Sequence, residues 1–331
     1  MPIVCLGLEG TAHSFGAGVV SDDGQVLSNE WDMLTPEKGG IHPRKASRHH
    51  SRVGPGLIAK ALKRAAKRPA DIDMVAFSRG PGLGPCLRTT ATMARTLALS
   101  LDVPLVGVNH CVAHIEIGCL ESGFEDPVTV YVSGGNTQVI AYAGGRYRTF
   151  GETLDIALGN MLDTLGREMG MKFPAGPTIE TYARDGLSYY ELPYSVKGMD
   201  VSYSGMLTAA TRLHTENVAM NDICFSVQET SFGMIAEIAE RAIAHTKKQE
   251  LLLTGGVARN ERLTSILRGV SERHDIDFYR VSKSLAGDQG AMIAWTGILQ
   301  HLAGDRLRVR ESQVLPRWRT DEQDIMWRRE D

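Results

Sequence analysis

The sequence predicts an α/β protein built from two related lobes. Three observations carry this: a β-hairpin unit at the start of the chain, a similar unit more than a hundred residues later, and an alternation of apolar strands with helix-period segments after each. Glycine pairs at strand ends add that a ligand would sit where strand ends meet.

In chain order, Ile3 to Leu8 reads as a strand, followed by a polar turn from Glu9 to His13 and a second strand from Gly16 to Val20. Asp22, Asp23 and Gly24 form the hairpin turn into a third strand ending near Trp31. Residues 44 to 68 follow with a helical rhythm, Gly54-Pro55-Gly56 reading as a break between two helices and Leu57, Ile58, Ala61 and Leu62 as the apolar stripe of the second. Asp73 to Ser78 and Leu105 to Val108 read as buried strands, Cys86 to Ser100 as a helix, and Gly80 to Pro85 as a rigid loop without the Lys-Ser/Thr of a phosphate-binding P-loop.

The second unit repeats the hairpin as Val128 to Val132, a turn at Ser133-Gly134-Gly135-Asn136, Thr137 to Ala143, Gly144-Gly145 and Tyr147 to Phe150. Ile223 to His245 reads as a helix, Glu250 to Thr254 as a strand running into Gly255-Gly256, and a further helix starts near Ala258. The expected organisation is an N-terminal lobe over 1–125 with a basic helical insertion at about 43–68, and a C-terminal lobe over 126–287. A helix and tail over 288–331 are expected to pack back on the first lobe, with the stretch from Arg306 as surface tail.

Bulk properties exclude several classes. The N-terminus lacks the basic flank and apolar core of an export signal, and no span of about 20 apolar residues is present, so membrane insertion is not expected. Five cysteines with no C-x-x-C pair fit a reduced, cytoplasmic setting. The net charge of -3 hides nine Lys and Arg between Arg44 and Arg68 with no acidic residue among them. Solvated helix faces usually mix signs, so a phosphate backbone is the favoured partner, with Arg44, Lys45, Arg48 and Arg52 as its candidate contacts.

His110 and His114 stand four apart, on one face of a helix and within reach of one ion. The same spacing equally fits two hydrogen-bonded helix histidines. A zincin protease is disfavoured because Cys111, not Glu, follows the first histidine. His49 and His50 are adjacent, point to different sides of a helix, and are not read as a metal pair. Gly134-Gly135 and Gly255-Gly256 follow apolar strands and let backbone N–H groups approach a phosphate or ribose, though each alone is also an ordinary turn. Asp163, Glu180, Asn260 and Asp288 lie in or beside glycine-bearing segments. Asp163 and Glu180 suit ribose hydroxyls, and a solvated helix carboxylate is the alternative for each.

Four segments then match a known family: residues 107–116 (GVNHCVAHIE), 131–139 (YVSGGNTQV), 151–160 (GETLDIALGN) and 287–292 (GDQGAM). Together with Ile41 to Arg44 and Ser78 to Pro85, they resemble the tRNA N6-adenosine threonylcarbamoyltransferases over nearly the whole chain. Asn136 and the Cys111-Val112-Ala113 spacer resemble the archaeal and eukaryotic branch, the catalytic subunit of the KEOPS complex, rather than the bacterial TsaD branch. Some archaeal members carry a fused kinase domain, and this chain resembles the free-standing form. Ala175, Gln289 and Arg79 depart from the residues usual in the family.

The resemblance implies an actin-like ATPase (ASKHA) fold, with a nucleotide and metal site in the cleft of two related lobes. It implies one divalent ion per subunit, Fe(2+) or Zn(2+), on His110, His114, Tyr131 and Asp288, the tyrosine being one that spacing does not find. It further implies an adenylate, threonylcarbamoyl-AMP, held by Tyr131, Val132, Ser133, Gly134, Gly135, Asp163, Gly176, Glu180 and Asn260. The implied reaction moves the threonylcarbamoyl group to N6 of the adenosine at tRNA position 37 in ANN-reading tRNAs, and the implied partners are tRNA, a protein kinase-like ATPase and small accessory and dimerisation subunits. A nucleotide-hydrolysing actin-like ATPase and a metallopeptidase are the competing enzyme readings.

Overall fold

The computed structural model describes residues 2–35 and 40–328. Contacts divide the chain into two compact units, one of residues 1–121, 143–147 and 288–331, the other of residues 122–142 and 148–287.

The first unit opens with β1 (Val4–Glu9), β2 (Ser14–Ser21) and β3 (Val26–Met33), an antiparallel meander. Its elements continue with α1 (Pro43–Arg64), β4 (Met74–Gly80), α2 (Gly84–Leu101), β5 (Leu105–Asn109) and α3 (His110–Ser122). The sheet order is β3-β2-β1-β4-β5, with β4 parallel to both β1 and β5.

One face of this sheet carries Leu6, Leu8, Phe15, Ala17 and Val19 against Leu57, Ile58 and Ala61 of α1 and Ala91 and Ala94 of α2. The alternating residues Gly7, Gly16 and Gly18 face the other way, toward the start of the helix at 290–302, where a Cβ on Gly18 would lie 2.3 Å from the Ala291 nitrogen. Side-chain alternation along a strand thus gives one face to bulky residues and the other to close helix contact.

Two expectations are corrected here. Gly54-Pro55-Gly56 does not break the chain: α1 is one helix with Pro55 inside it. Gly54 is buried because a Cβ there would meet the Met93 sulfur at 2.7 Å, so the glycine serves close packing of α2. The stretch from Arg306 is not a loose surface tail. Leu307 bridges to Leu105, Arg95 donates to the Ser312 hydroxyl at 2.7 Å, and Ser312, Thr320 and Ile325 are buried.

The second unit repeats the plan. It contains β6 (Val128–Val132), β7 (Thr137–Ala143), β8 (Arg146–Glu152), α4 (Leu158–Glu168) and α5 (Gly176–Arg184). A small ribbon of β9 (Val196–Lys197) and β10 (Asp200–Val201), then α6 (Ser204–Thr215), α7 (Met220–Thr246), β11 (Glu250–Thr254), α8 (Glu261–His274) and β12 (Asp277–Arg280) complete it. The tip of the β7–β8 hairpin, residues 143–147, groups with the first unit. The sheet order β12-β11-β6-β7-β8 matches that of the first sheet, strand for strand. α9 (Gly290–Leu302) belongs to the first unit. Among the described residues no helix is long and apolar enough to cross a membrane.

Candidate functional site

The first unit brings three candidate metal ligands together. β5 passes without a loop into α3, and Asn109 at the junction accepts from the Cys111 and Val112 backbone N–H groups at 3.0 and 3.3 Å. That side-chain cap starts the helix at His110, so His110 and His114 fall one turn apart. Their ring centroids are 4.8 Å apart and nearly perpendicular. Asp288 enters just before α9, whose first turn is capped by Gln289 accepting from the Met292 N–H at 3.0 Å. The departure at Gln289 therefore has a structural role, and the cap leaves Asp288 turned toward the histidines.

Oδ1 of Asp288 lies 3.5 Å from Nε2 of His110 and 3.3 Å from Nε2 of His114. Donor atoms sharing one ion with bonds of about 2.0–2.2 Å are themselves roughly 3–3.5 Å apart in tetrahedral geometry. Both carboxylate–imidazole distances meet that spacing, and ligand atoms of all three side chains lie within 4.8 Å of one another, a donor set suited to a divalent ion of the imidazole-binding kind, Zn or Fe.

Sequence reasoning missed Glu9. It closes β1, is fully buried, and its Oε2 lies 3.0 Å from Nδ1 of His110, while Oε1 accepts from the Thr11 N–H and hydroxyl at 2.8 and 2.6 Å. Nδ1–H donation to this carboxylate leaves Nε2 as the ligand nitrogen. The available signal was a lone carboxylate ending a wholly apolar strand.

The electrostatics favour a cation. Burial opposes charge on His110, but Glu9 and Asp288 outweigh it and push that imidazole up to about 9. Burial also opposes charge on Asp288, yet the two histidines hold its carboxyl well below the usual range. Burial lowers His114, which favours the neutral form that ligates metal.

The nucleotide candidates all lie in the second unit. Tyr131 and Val132 end β6, and the Tyr131 hydroxyl accepts from the Asn136 amide at 3.3 Å. The Ser133 hydroxyl accepts from the Asn136 N–H at 3.0 Å and closes the turn that holds Gly134 and Gly135. A Cβ on either glycine would meet nothing within 4 Å, so open space adjoins both. Gly255 is different: its φ of +97° and the Val132 oxygen, 2.2 Å from a Cβ position, demand glycine.

Other candidates are held in structural bonds. Asp163 accepts from the Ala175 N–H at 2.7 Å, fixing the start of α5 at Gly176. Glu180 accepts from the Glu261 N–H at 3.0 Å and pairs with Arg184. Asn260 caps α8 by accepting from the Leu263 N–H at 3.1 Å and donates to Gln228 at 3.0 Å. The helix-carboxylate alternative therefore describes part of what Asp163 and Glu180 do. Gln228, which fixes the Asn260 amide, carried no signal in the sequence.

On α1, Arg44, Lys45, Arg48 and Arg52 are exposed. Lys60 and Arg64 instead pair with buried Glu30 at 2.7 and 2.5 Å, so part of the basic run is structural. His49 pairs with Asp32 at 2.8 Å and His50 is fully buried against Phe15, and among the described residues neither belongs to a three-ligand cluster.

Comparison with solved structures defines the class first. HypF from T. kodakarensis superposes with a TM-score of 0.64 at 15% identity, covering 91% of this chain and 49% of that one. With the duplicated sheet order, this is the actin-like ATPase fold. The family model described as tRNA N6-adenosine threonylcarbamoyltransferase matches residues 25–295. The tRNA N6-adenosine threonylcarbamoyltransferase of Archaeoglobus fulgidus is 52% identical over 98% of this chain and all of its own length. The probable bifunctional tRNA threonylcarbamoyladenosine biosynthesis protein of Methanothermobacter thermautotrophicus is 54% identical over 99% of this chain, which spans 61% of that relative's length. The chain belongs to the tRNA N6-adenosine threonylcarbamoyltransferase family.

Proposed function

We propose that this chain transfers the threonylcarbamoyl group of threonylcarbamoyl-AMP to N6 of adenosine 37 in ANN-reading tRNAs, as the catalytic subunit of a KEOPS-type complex. The observation that carries the reading is the His110–His114–Asp288 cluster in a chain of this family. A bound Fe(2+) or Zn(2+) would supply Lewis-acid polarisation of the carbamoyl carbonyl.

The chain's own residues do the rest. Glu9 orients His110, Gln289 holds the Asp288 segment, and Tyr131 is the proposed fourth ligand, on family resemblance. The open turn at Ser133 to Gly135 offers backbone N–H groups to the adenylate phosphate, with Val132, Asp163, Gly176, Glu180 and Asn260 shaping the nucleoside end. Holding both substrates in register lowers the entropic part of the barrier for a weakly nucleophilic amine. In the transfer, the N6–carbonyl bond forms, the carbonyl–phosphate oxygen bond breaks, one N6 proton is lost and AMP leaves. Arg44, Lys45, Arg48 and Arg52 are the proposed tRNA contacts, and the proposed protein partners are a kinase-like ATPase and small accessory and dimerisation subunits in the cytoplasm.

The test is incubation with threonylcarbamoyl-AMP and tRNA, with modified nucleoside and AMP both quantified. Equal amounts of the two are expected. ADP release from ATP with no tRNA product would instead favour a nucleotide-hydrolysing ATPase.

A further inference from the structure

We propose that a shallow cavity formed by the C-terminal segment is a docking pocket for an unpaired nucleobase of the acceptor RNA, stacked on the Trp318 indole. The proposal rests on the RNA-modifying reading above and adds a substrate subsite to it.

The cavity has a volume of about 420 Å³ and is lined by Leu315, Pro316, Arg317, Trp318 and Glu322. Small-molecule pockets span roughly 300–1,000 Å³, so this one suits a single planar group rather than a peptide segment. The Arg79 guanidinium lies over the Trp318 ring, 5.8 Å from its centroid, without lining the cavity. Arg79 is itself fixed by donating to the Gln313 and Glu311 carbonyls, both at 2.9 Å. The indole is therefore braced by a fixed guanidinium and also lines the cavity.

Position argues for a substrate role. The Leu315 N–H donates to the Arg79 carbonyl at 2.8 Å and the Gly82 N–H to the Pro316 carbonyl at 3.1 Å, which ties the wall to the carboxyl end of β4. The Asn109 amide donates to the Arg319 carbonyl at 3.2 Å, and Asn109 is the residue directly before His110. Arg319 directly follows Trp318, so the chain that carries this wall is bonded to the cap of the helix that carries both histidines.

Charge selects the class of occupant. Among the described residues neither Arg317 nor Arg88 has an acidic partner, and Arg88 and Pro316 both flank Gly84. Arg319 is exposed and paired with Asp321 at 3.1 Å. Two uncommitted guanidinium groups beside an apolar aromatic floor match a sugar-phosphate backbone whose base turns inward. Unpaired RNA bases are recognised by stacking on aromatic rings and on guanidinium planes. Glu322 accepts from the Arg319 N–H through Oε2 at 2.9 Å, and its other oxygen is suited to an exocyclic amine.

The test uses the full chain and an anticodon stem-loop RNA carrying 2-aminopurine at the acceptor adenosine or at its 3′ neighbour. Fluorescence quenching at one of these positions is expected on binding. Trp318→Leu should relieve the quench and weaken binding about tenfold, read by anisotropy, while Trp318→Phe retains both. Unchanged quench and affinity in Trp318→Leu, or RNA binding without quench in the unmodified chain, overturns the pocket alone. Absence of any RNA binding by anisotropy overturns the pocket together with the RNA-modifying reading.

Discussion

Oε2 of Glu9 lies 3.0 Å from Nδ1 of His110, and both side chains are buried. This pair sets which imidazole nitrogen faces Asp288. Replacing Glu9 by Ala leaves a buried N–H without its acceptor and frees the ring to turn. Loss of such an outer carboxylate typically weakens metal binding about 10–100-fold. Competition against a chromophoric chelator should show that loss in Glu9→Ala, with Glu9→Gln retaining most of the affinity. Equal affinities in all three proteins would remove Glu9 from the site.

Two glycines at the Ser133 turn should separate folding from binding. A Cβ on Gly159 would lie 2.5 Å from the Ser133 oxygen, so Gly159→Ala must displace the turn or the start of α4. Overpacking of this kind costs about 1–3 kcal/mol, visible in chemical denaturation. Gly134 has open space, so Gly134→Ala should leave stability within ~0.5 kcal/mol. Its adenylate affinity should nevertheless fall, by roughly tenfold, because the methyl fills the space offered to the phosphate. Normal adenylate binding by Gly134→Ala would dissociate the turn from the nucleotide.

The basic helix divides into two functional sets. Reversing Arg44, Arg48 and Arg52 to Glu should weaken tRNA binding and flatten its salt dependence, the log–log slope dropping by about 2–3. Lys60 and Arg64 pair with buried Glu30, so Arg64→Met should act on stability instead. An unchanged salt slope in the triple variant would exclude that face of α1 from the RNA interface.

His50 predicts an acid limb of stability. Burial lowers its imidazole to about 4, against 6.5 for the free side chain. The unfolded chain then binds a proton between these values that the folded chain does not. Stability is fully present above pH 6.5 and declines as pH falls toward about 4. At 1.36 kcal/mol per pH unit, the loss from this residue is bounded near ~3 kcal/mol. Urea denaturation at pH 7 and pH 5 should show a smaller difference for His50→Phe than for the unmodified chain, and an identical difference would place the acid sensitivity elsewhere.

Much of the fold was legible because buried strands and hairpin turns are local patterns. β6, β7 and β11 run as their apolar stretches predict, and the repeated hairpin foretold two sheets of one topology. Gly54-Pro55-Gly56 misled because a glycine needed for contact with Met93 looks in sequence like a helix breaker. The histidine pair was legible by spacing, since a helix fixes i and i+4 on one face. Glu9 was not, because it stands 101 residues from His110 in sequence and the parallel pairing of β1, β4 and β5 brings them together. Asn260 shows a third limit: its N-cap and its bond to Gln228 are invisible until α7 and α8 are packed.

The most direct measurement is metal content and threonylcarbamoyl transfer to tRNA, determined on the same samples of unmodified, chelator-stripped and His110→Ala protein. The account predicts that stripping abolishes transfer, that Fe(2+) or Zn(2+) restores it, and that His110→Ala stays folded while regaining neither metal nor activity. Full transfer by the stripped protein, or by a metal-free His110→Ala variant, would contradict it.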